Sequence, residues 1–247
     1  MNTRPVALIT GSTSGIGAAI ARRFSADGYC VVLNSRSSVD VGQSMARELP
    51  DAHYIQADLA KEEQRQRLIQ DTLAATGRLD VLVNNAGISQ VIPHNDLLAA
   101  TPEVWNALHE VNVVAPFRLI AYAEDALRAS AARQGKPGSV VNVSSHAGVR
   151  PKGASIPYSA SKAALNHMTR LLALSLAPAI RVNAVAPGLV DTPLTETWTA
   201  ARQLWSDKSP MRRGAQPEDI AQLVAMLVAS DYVTGEVILA DGGLNLT

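Results

Sequence analysis

Seven short, β-branched runs punctuate this chain of 247 residues, and longer helical patterns separate them. The runs cover 6–10, 29–33, 52–56, 81–84, 139–143, 181–185 and 236–239. Helical periods fit 16–26, 41–49, 62–76, 102–127, 158–176 and 217–229. In the first helix Ile16, Ile20 and Phe24 recur every four residues, and Asp27-Gly28 can end it. Thr101-Pro102-Glu103 supplies a hydroxyl cap, a proline for the first turn and an acid at the positive end of a later one. Strands that alternate with helices in this way predict an α/β protein with a doubly wound, seven-stranded parallel sheet. Composition agrees: 47% of residues are hydrophobic and only 4% aromatic, which suits aliphatic strands covered by helices on both faces.

No internal repeat or low-complexity linker divides the chain, so residues 1–247 are expected to form one domain. The small, polar stretch 130–138 reads as a loop. Residues 188–214 carry no strong period. A loop that long in a compact α/β domain is usually functional, and it follows a strand, where such sheets bind ligands. We expect a substrate lid at about 189–214, with Leu194, Trp198, Leu204 and Trp205 facing the pocket and 88–92 forming another wall.

Charge is balanced, with 22 basic and 22 acidic residues. That disfavours nucleic-acid binding by phosphate neutralisation. Cys30 is the one cysteine, which excludes an internal disulfide, and its apolar setting reads as a buried thiol. The terminus MNTRPVALIT enters a strand-like run at once and lacks the pattern of a signal peptide. No run of about twenty apolar residues appears, so no membrane span is expected. These features predict a soluble, cytoplasmic protein.

Residues 10–17 read TGSTSGIG, between the first strand and the first helix. Gly11 permits a sharp turn. Gly15 and Gly17 let backbone and helix approach a pyrophosphate, which the helix amino terminus would bind. In that context the loop points to a dinucleotide site of Rossmann type. At the end of the second strand an acid would bind both ribose hydroxyls. Ser35 and Arg36 stand there instead, with Asn34, Ser37 and Ser38 adding donors. An arginine at this position can pair with a 2′-phosphate, so NADP (as NADPH) is the preferred cofactor, with NAD possible.

Tyr158 and Lys162 stand four apart in a segment rich in helix formers, so they share one helix face. A free phenol has a pKa of about 10, and a nearby ammonium is expected to lower it toward a working pH. Alone, such a pair is a common surface motif. The five histidines show no metal-ligand spacing, and no metal is expected. His94 and His109 read as surface or packing residues, while His146 and Lys152 read as bystanders, His146 at most lining the substrate cleft.

Six motifs agree in order and spacing: TGSTSGIG at 10–17, NNAG at 84–87, Asn112, NVSS at 142–145, YSASK at 158–162 and PGLVDT at 187–192. Together with TGEVILADGG at 234–243 they resemble the short-chain dehydrogenase/reductase family over nearly the whole chain, including members that reduce 3-oxoacyl groups on acyl carrier protein. The resemblance implies a catalytic tetrad of Asn112, Ser145, Tyr158 and Lys162. It implies a phosphate loop at Gly11, Ser14, Ile16 and Gly17, and adenine contacts at Asp58 and Leu59. It places Asn85, Ala86 and Gly87 beside the adenine ribose, with Ser35 and Arg36 at its 2′ position. Pro187, Gly188, Val190 and Thr192 match the nicotinamide end, which Tyr158 and Lys162 also touch. It further implies a homotetramer. Two positions depart from the pattern. Ser14 replaces a base that many NADP-using relatives carry, and Arg181 is the only base near the turn before the sixth strand, where reductases acting on acyl carrier protein often carry several.

The expected reaction interconverts a ketone and a secondary alcohol by hydride transfer, with Tyr158 as general acid/base. A 3-oxoacyl thioester and a cyclic or steroid-like ketone are both admissible. An NAD-preferring alcohol or hydroxysteroid dehydrogenase and a non-catalytic cofactor sensor stay open as alternatives.

Overall fold

The structure is a computed structural model that describes residues 4–247; the start of the segment read for a leader lies outside the described residues. Seven strands form one sheet: β1 (Val6–Ile9), β2 (Cys30–Ser35), β3 (Ala52–Gln56), β4 (Val81–Asn84), β5 (Gly138–Val143), β6 (Ile180–Pro187) and β7 (Val237–Ala240). Their order is β3-β2-β1-β4-β5-β6-β7, and every pairing is parallel. The expected architecture is therefore present. The order reverses between β1 and β4, so their carboxyl ends open a crevice.

The two-residue period of a strand assigns side chains to the two faces. Ala7 and Ile9 join Phe24 and Ile20 of α1 (Gly15–Ala26) and Ile220 and Val224 of α8 (Pro217–Ala229) in one core. Val6 and Leu8 join the opposite core. There they meet Leu68 of α3 (Glu62–Thr76), Leu119 and Leu127 of α5 (Ala115–Gln134) and Ala173 of α6 (Ile156–Leu176). The helix α2 (Val39–Glu48) covers the β2–β3 edge through Met45.

Three expectations need correction. The single helix expected over 102–127 is α4 (Pro102–His109), a π-helical turn (Glu110–Val114) and α5. The wider turn carries Asn112, and such bulges often occur at functional sites. Secondly, 130–138 is not all loop, because α5 continues to Gln134 and ends at Gly135 with φ 68°. Its serine is buried and donates to the Asp80 carboxylate, and Gln134 Nε2 donates to Asp80 Oδ1 at 2.5 Å. A tertiary partner thus holds residues whose composition suggests a loop. Thirdly, the segment without a period contains a 3₁₀ turn (Pro193–Thr195) and α7 (Thr199–Lys208). No residue of α7 is fully buried, so it lacks the apolar stripe that would have announced it.

Candidate active site

The loop after β1 is held tightly. Gly11 and Gly15 have φ of 61° and 51°, where a side chain is strained. A Cβ on Gly17 would lie 2.3 Å from Gly11 O and 2.5 Å from Asn85 Nδ2, so the helix start packs against its own loop only as glycine. The loop after β4 is clamped to it: Asn85 Nδ2 donates to Thr10 O (2.9 Å) and Gly11 O (3.0 Å). The Thr10 hydroxyl accepts from the N–H groups of Asn85 and Ala86, both at 3.0 Å. Between these loops lies a cleft of about 440 Å³. Gly11, Ser14, Ile16, Gly17, Ser35, Arg36, Asp58, Leu59, Asn85, Ala86, Gly87 and Thr192 line it, together with Tyr158 and Lys162.

At the far end of this cleft the two expected ribose-side residues differ. Arg36 is exposed at the rim, and its side chain makes no ion pair among the described residues. Ser35 is buried, and its Oγ lies 2.8 Å from Tyr54 Oη, so its hydroxyl already has a partner. Asp58 accepts the Ala60 N–H at Oδ1 (3.0 Å), while its own N–H donates to Gln64 Oε1 (2.7 Å). Thr13 and Ala60 also line the cleft and escaped the sequence reading. Thr13 lies within the glycine loop itself, which was the available signal.

The four residues expected to form a tetrad come from three elements. Tyr158 and Lys162 stand in the first turns of α6, capped by Ser155, whose Oγ accepts the Tyr158 N–H at 3.3 Å. Lys162 is buried, and its Nζ donates to Val143 O of β5 at 3.0 Å. Ser145 follows β5 and caps a 3₁₀ turn (His146–Gly148) by accepting the Ala147 N–H at 3.2 Å. That turn presses on α6, because a Cβ at Gly148 would lie 2.6 Å from the Lys162 carbonyl carbon. Asn112 is buried beneath: its Oδ1 accepts the Ile88 N–H (2.9 Å), and its Nδ2 donates to Ile88 O (3.0 Å) and Ser161 Oγ (3.1 Å). It therefore ties three elements together and lines neither cavity directly. A Cβ on Gly87 would lie 3.1 Å from Asn112 Oδ1 and 3.3 Å from Lys162 Nζ, so the β4 loop covers both.

Electrostatics differ from the simple expectation. Burial raises the Tyr158 phenol, and the Ser145 hydroxyl offsets only part of that rise. Burial lowers Lys162 to about 8. The Lys162 ammonium, turned to a strand carbonyl and 6.0 Å from the Tyr158 ring centroid, is not what moves the phenol in this structure. Sharing a helix face brought the two groups near without joining them.

A second cavity, about 750 Å³, meets the first at Tyr158, Ser144, Ile16, Thr192 and Leu194. Ser145 lines this side, and so do Pro187, Gly188 and Val190, which the resemblance had assigned to the nicotinamide end. Its walls are the four expected lid residues Leu194, Trp198, Leu204 and Trp205, with Val91 and Ile92 opposite. His146 lines it, the one part the sequence left to it, and so do Lys152 and His94, which read as a bystander and a surface or packing residue. Arg181 is elsewhere: its guanidinium is buried and donates to the carbonyls of Leu227, Val228 and Val233 at 2.9, 3.0 and 3.1 Å. Cys30, Asp51 and His53 bring three potential ligand atoms within 4.8 Å of one another at the β2–β3 edge, and none of them lines either cavity.

The family model described as enoyl-(acyl carrier protein) reductase matches residues 11–245. A Streptomyces violaceoruber protein named as a ketoacyl reductase of granaticin polyketide synthase is 49% identical, covering 98% of this chain and 96% of that one. A short-chain dehydrogenase/reductase structure from Burkholderia xenovorans has a TM-score of 0.92 at 35% identity and full coverage of both chains. The 3-ketoacyl-(acyl-carrier-protein) reductase of Brucella melitensis complexed with NADH has a TM-score of 0.89 at 33% identity, over 97% and 98% of the two chains. The Pseudomonas aeruginosa RhlG/NADP complex has 0.89 at 34%, over 97% and 96%. The chain therefore belongs to the short-chain dehydrogenase/reductase family, NAD(P)-dependent oxidoreductases acting on CH–OH groups.

Proposed function

We propose that this protein interconverts a neutral ketone and a secondary alcohol, prefers NADP(H), and uses Tyr158 as its general acid/base. One observation carries the reading: Tyr158 stands where a cleft built for a dinucleotide meets a largely apolar cavity. The residues fit that cofactor. Gly17 leaves a cradle that a Cβ would fill, the start of α1 offers N–H groups to a pyrophosphate, and exposed Arg36 is available to a 2′-phosphate. Gly11, Ser14, Ile16 and Gly17 would hold the phosphates, and Ser35, Arg36, Asp58, Leu59 and Asn85–Gly87 the adenosine half. Pro187, Gly188, Val190 and Thr192 would hold the nicotinamide end.

When bound, the nicotinamide supplies or accepts the hydride at the reacting carbon. The protein manages the oxygen. In reduction Tyr158 gives its proton to the carbonyl oxygen, and Ser145 donates a hydrogen bond that steadies the charge developing there. Lys162, with a pKa of about 8, can exchange protons near neutral pH and return one toward the phenol. Asn112 positions this group by holding Ser161 and the Ile88 backbone. Oxidation runs the same steps backwards.

Residues 189–214 act as a lid on this single domain, braced internally by an ion pair between Arg202 and Asp191 and tied to the start of α8 by Gln216 Nε2 donating to Asp191 Oδ2 at 2.8 Å. Apolar walls favour a neutral carbonyl such as a 3-oxoacyl thioester or a cyclic ketone. Burial of Arg181 argues against its serving as a carrier-protein contact. Exposed Phe117, Leu171 and Leu174 on α5 and α6 support a homotetramer, which sedimentation at micromolar concentration tests. No described helix is long and apolar enough to cross a membrane, and we take the protein to act in the cytoplasm.

The test is nicotinamide oxidation with NADPH, then NADH, over an acetoacetyl thioester and aliphatic, cyclic and steroid ketones. Turnover favouring NADPH supports the reading, and equal use of NADH removes the role given to Arg36. Tight cofactor binding with no turnover favours the non-catalytic alternative.

A further inference from the structure

The one cysteine of the chain stands beside two other metal-binding side chains, far from both cavities' linings. Cys30 opens β2 and is fully buried, Asp51 directly precedes β3, and His53 is the second residue of β3. The thiol, one carboxylate oxygen and one ring nitrogen all lie within 4.8 Å of one another. Along the chain Cys30 and His53 are too far apart to form a ligand motif, and strand register is what joins them. β2 and β3 run parallel, with Val31 beside Ala52 and Val32 beside His53. The Val31 N–H donates to Asp51 O at 3.1 Å, which continues the register back and sets Asp51 beside Cys30.

Strand side chains alternate between faces. Val31 and Ala52 pack in the core that holds Phe24, while Cys30 and Val32 pack in the opposite core with Leu68, so His53 shares the face of Cys30. Exposure rises outward from the buried thiol through half-buried His53 to exposed Asp51, which leaves a way in from solvent. Asp51 has φ 54°, a left-handed conformation that aspartate tolerates better than most residues. Arg4 Nη1 lies 3.9 Å from Asp51 Oδ2, with both side chains partly exposed. A pair that loose is worth little, so a bound cation can displace it. The donor set selects the ion: magnesium and calcium take oxygen ligands, whereas thiolate with imidazole suits zinc and its first-row neighbours. Zinc bonds of about 2.0–2.3 Å put tetrahedral ligand atoms about 3.5 Å apart, so Asp51 and His53 need to swing in by about 1 Å.

We propose that Cys30, Asp51 and His53 bind one divalent ion of the zinc class, which clips the edge strand β3 to β2. On binding, the Cys30 thiol gives its proton to solvent and forms a sulfur–metal bond, and water fills the fourth position. β3 is the outermost strand of the sheet, so a clip here ties down an edge. The ion sits at the amino ends of the two strands, and the cofactor cleft lies at the other end, where β2 finishes at Ser35. It therefore acts on stability and not on hydride transfer, and the inference stands apart from the reductase reading.

The test titrates the chelator-treated, phosphine-reduced protein with Co²⁺ and follows its absorption. A sulfur-to-cobalt charge-transfer band in the near ultraviolet should grow to saturation at one equivalent and vanish when Zn²⁺ is added. Because Cys30 is the one cysteine, a thiolate band reports this site alone. Cys30→Ala should abolish the band, and His53→Gln and Asp51→Asn should each weaken binding by at least about tenfold. At a hundredfold excess over its Kd, Co²⁺ should raise the melting temperature of the wild type by about 5–10 °C and that of Cys30→Ala hardly at all. If Cys30→Ala loses its fold by circular dichroism, the His53 and Asp51 variants carry the comparison. A wild type without the band overturns the proposal, as does an affinity unchanged in both His53→Gln and Asp51→Asn. A band with no rise in melting temperature overturns the clip.

Discussion

The two halves of the cleft are built differently. On the cofactor side, backbone meets backbone: Gly17 abuts Gly11, and Asn85 and Thr10 saturate the loop ends with hydrogen bonds. On the substrate side, side chains from distant segments make the walls, α7 buries no residue fully, and His146 keeps an unmet polar atom. The first half suits a ligand whose shape never changes. The second leaves shape and polarity to a few side chains, where specificity can be altered without disturbing the sheet.

Five substitutions or conditions can break this contrast, taken from the largest expected effect to the smallest. Tyr158→Phe belongs to both halves, and it should lower kcat by about 10²–10⁴-fold while leaving cofactor titration nearly unchanged. Near-normal turnover by a folded Tyr158→Phe protein would remove the proposed chemistry. Lys162 ties stability to pH. Its folded value of about 8 lies below its ordinary 10.5, so below pH 8 the folded state bears the full cost of a buried charge. Between about 8 and 10.5 the unfolded chain binds more protons, and stability should climb with pH by about 3 kcal/mol at most. Lys162→Met should flatten that rise in denaturant titrations, and an unchanged slope would mean that another group carries it.

Arg36→Ala should narrow the NADPH-to-NADH preference by about tenfold or more, since it removes a charge-assisted contact, and should leave the KM for ketone alone. A shift in ketone KM instead would show that the halves are coupled at the rim. Gly17→Ala should destabilise the fold by about 1–3 kcal/mol and weaken cofactor binding, because its Cβ has no space. Thermal unfolding with and without NADPH separates the two effects. Trp205→Ala should act on the substrate side only, raising ketone KM by several-fold through loss of packing, with the smallest change in melting temperature, since α7 covers no core. A large drop in melting temperature would make α7 part of the framework rather than a lid.

Most of the fold was legible because buried parallel strands and amphipathic helices write their periods into the chain. The doubly wound parallel class and the glycine loop follow from that pattern and from turn chemistry that only glycine permits, whereas the strand order is seen only in the fold. The misreadings share one cause. Helix residues Ser130–Gln134 are held by Asp80, fifty positions away in the case of Ser130, and α7 is held by Trp205, Arg202 and their distant partners. Neither contact has a local signature. Arg181, noted as the only base near the turn before β6, is a buried anchor for three carbonyls.

The sequence by itself determined the strands, the phosphate loop and the helix face shared by Tyr158 and Lys162, because each depends on residues within one turn or one strand. Only the tertiary structure decided that Lys162 bonds Val143 rather than the phenol, that Asn112 sits in a widened turn, and that His146 faces Asp241 and Trp205. Those facts depend on which elements the sheet brings side by side, and packing between segments far apart in the chain leaves no period to read.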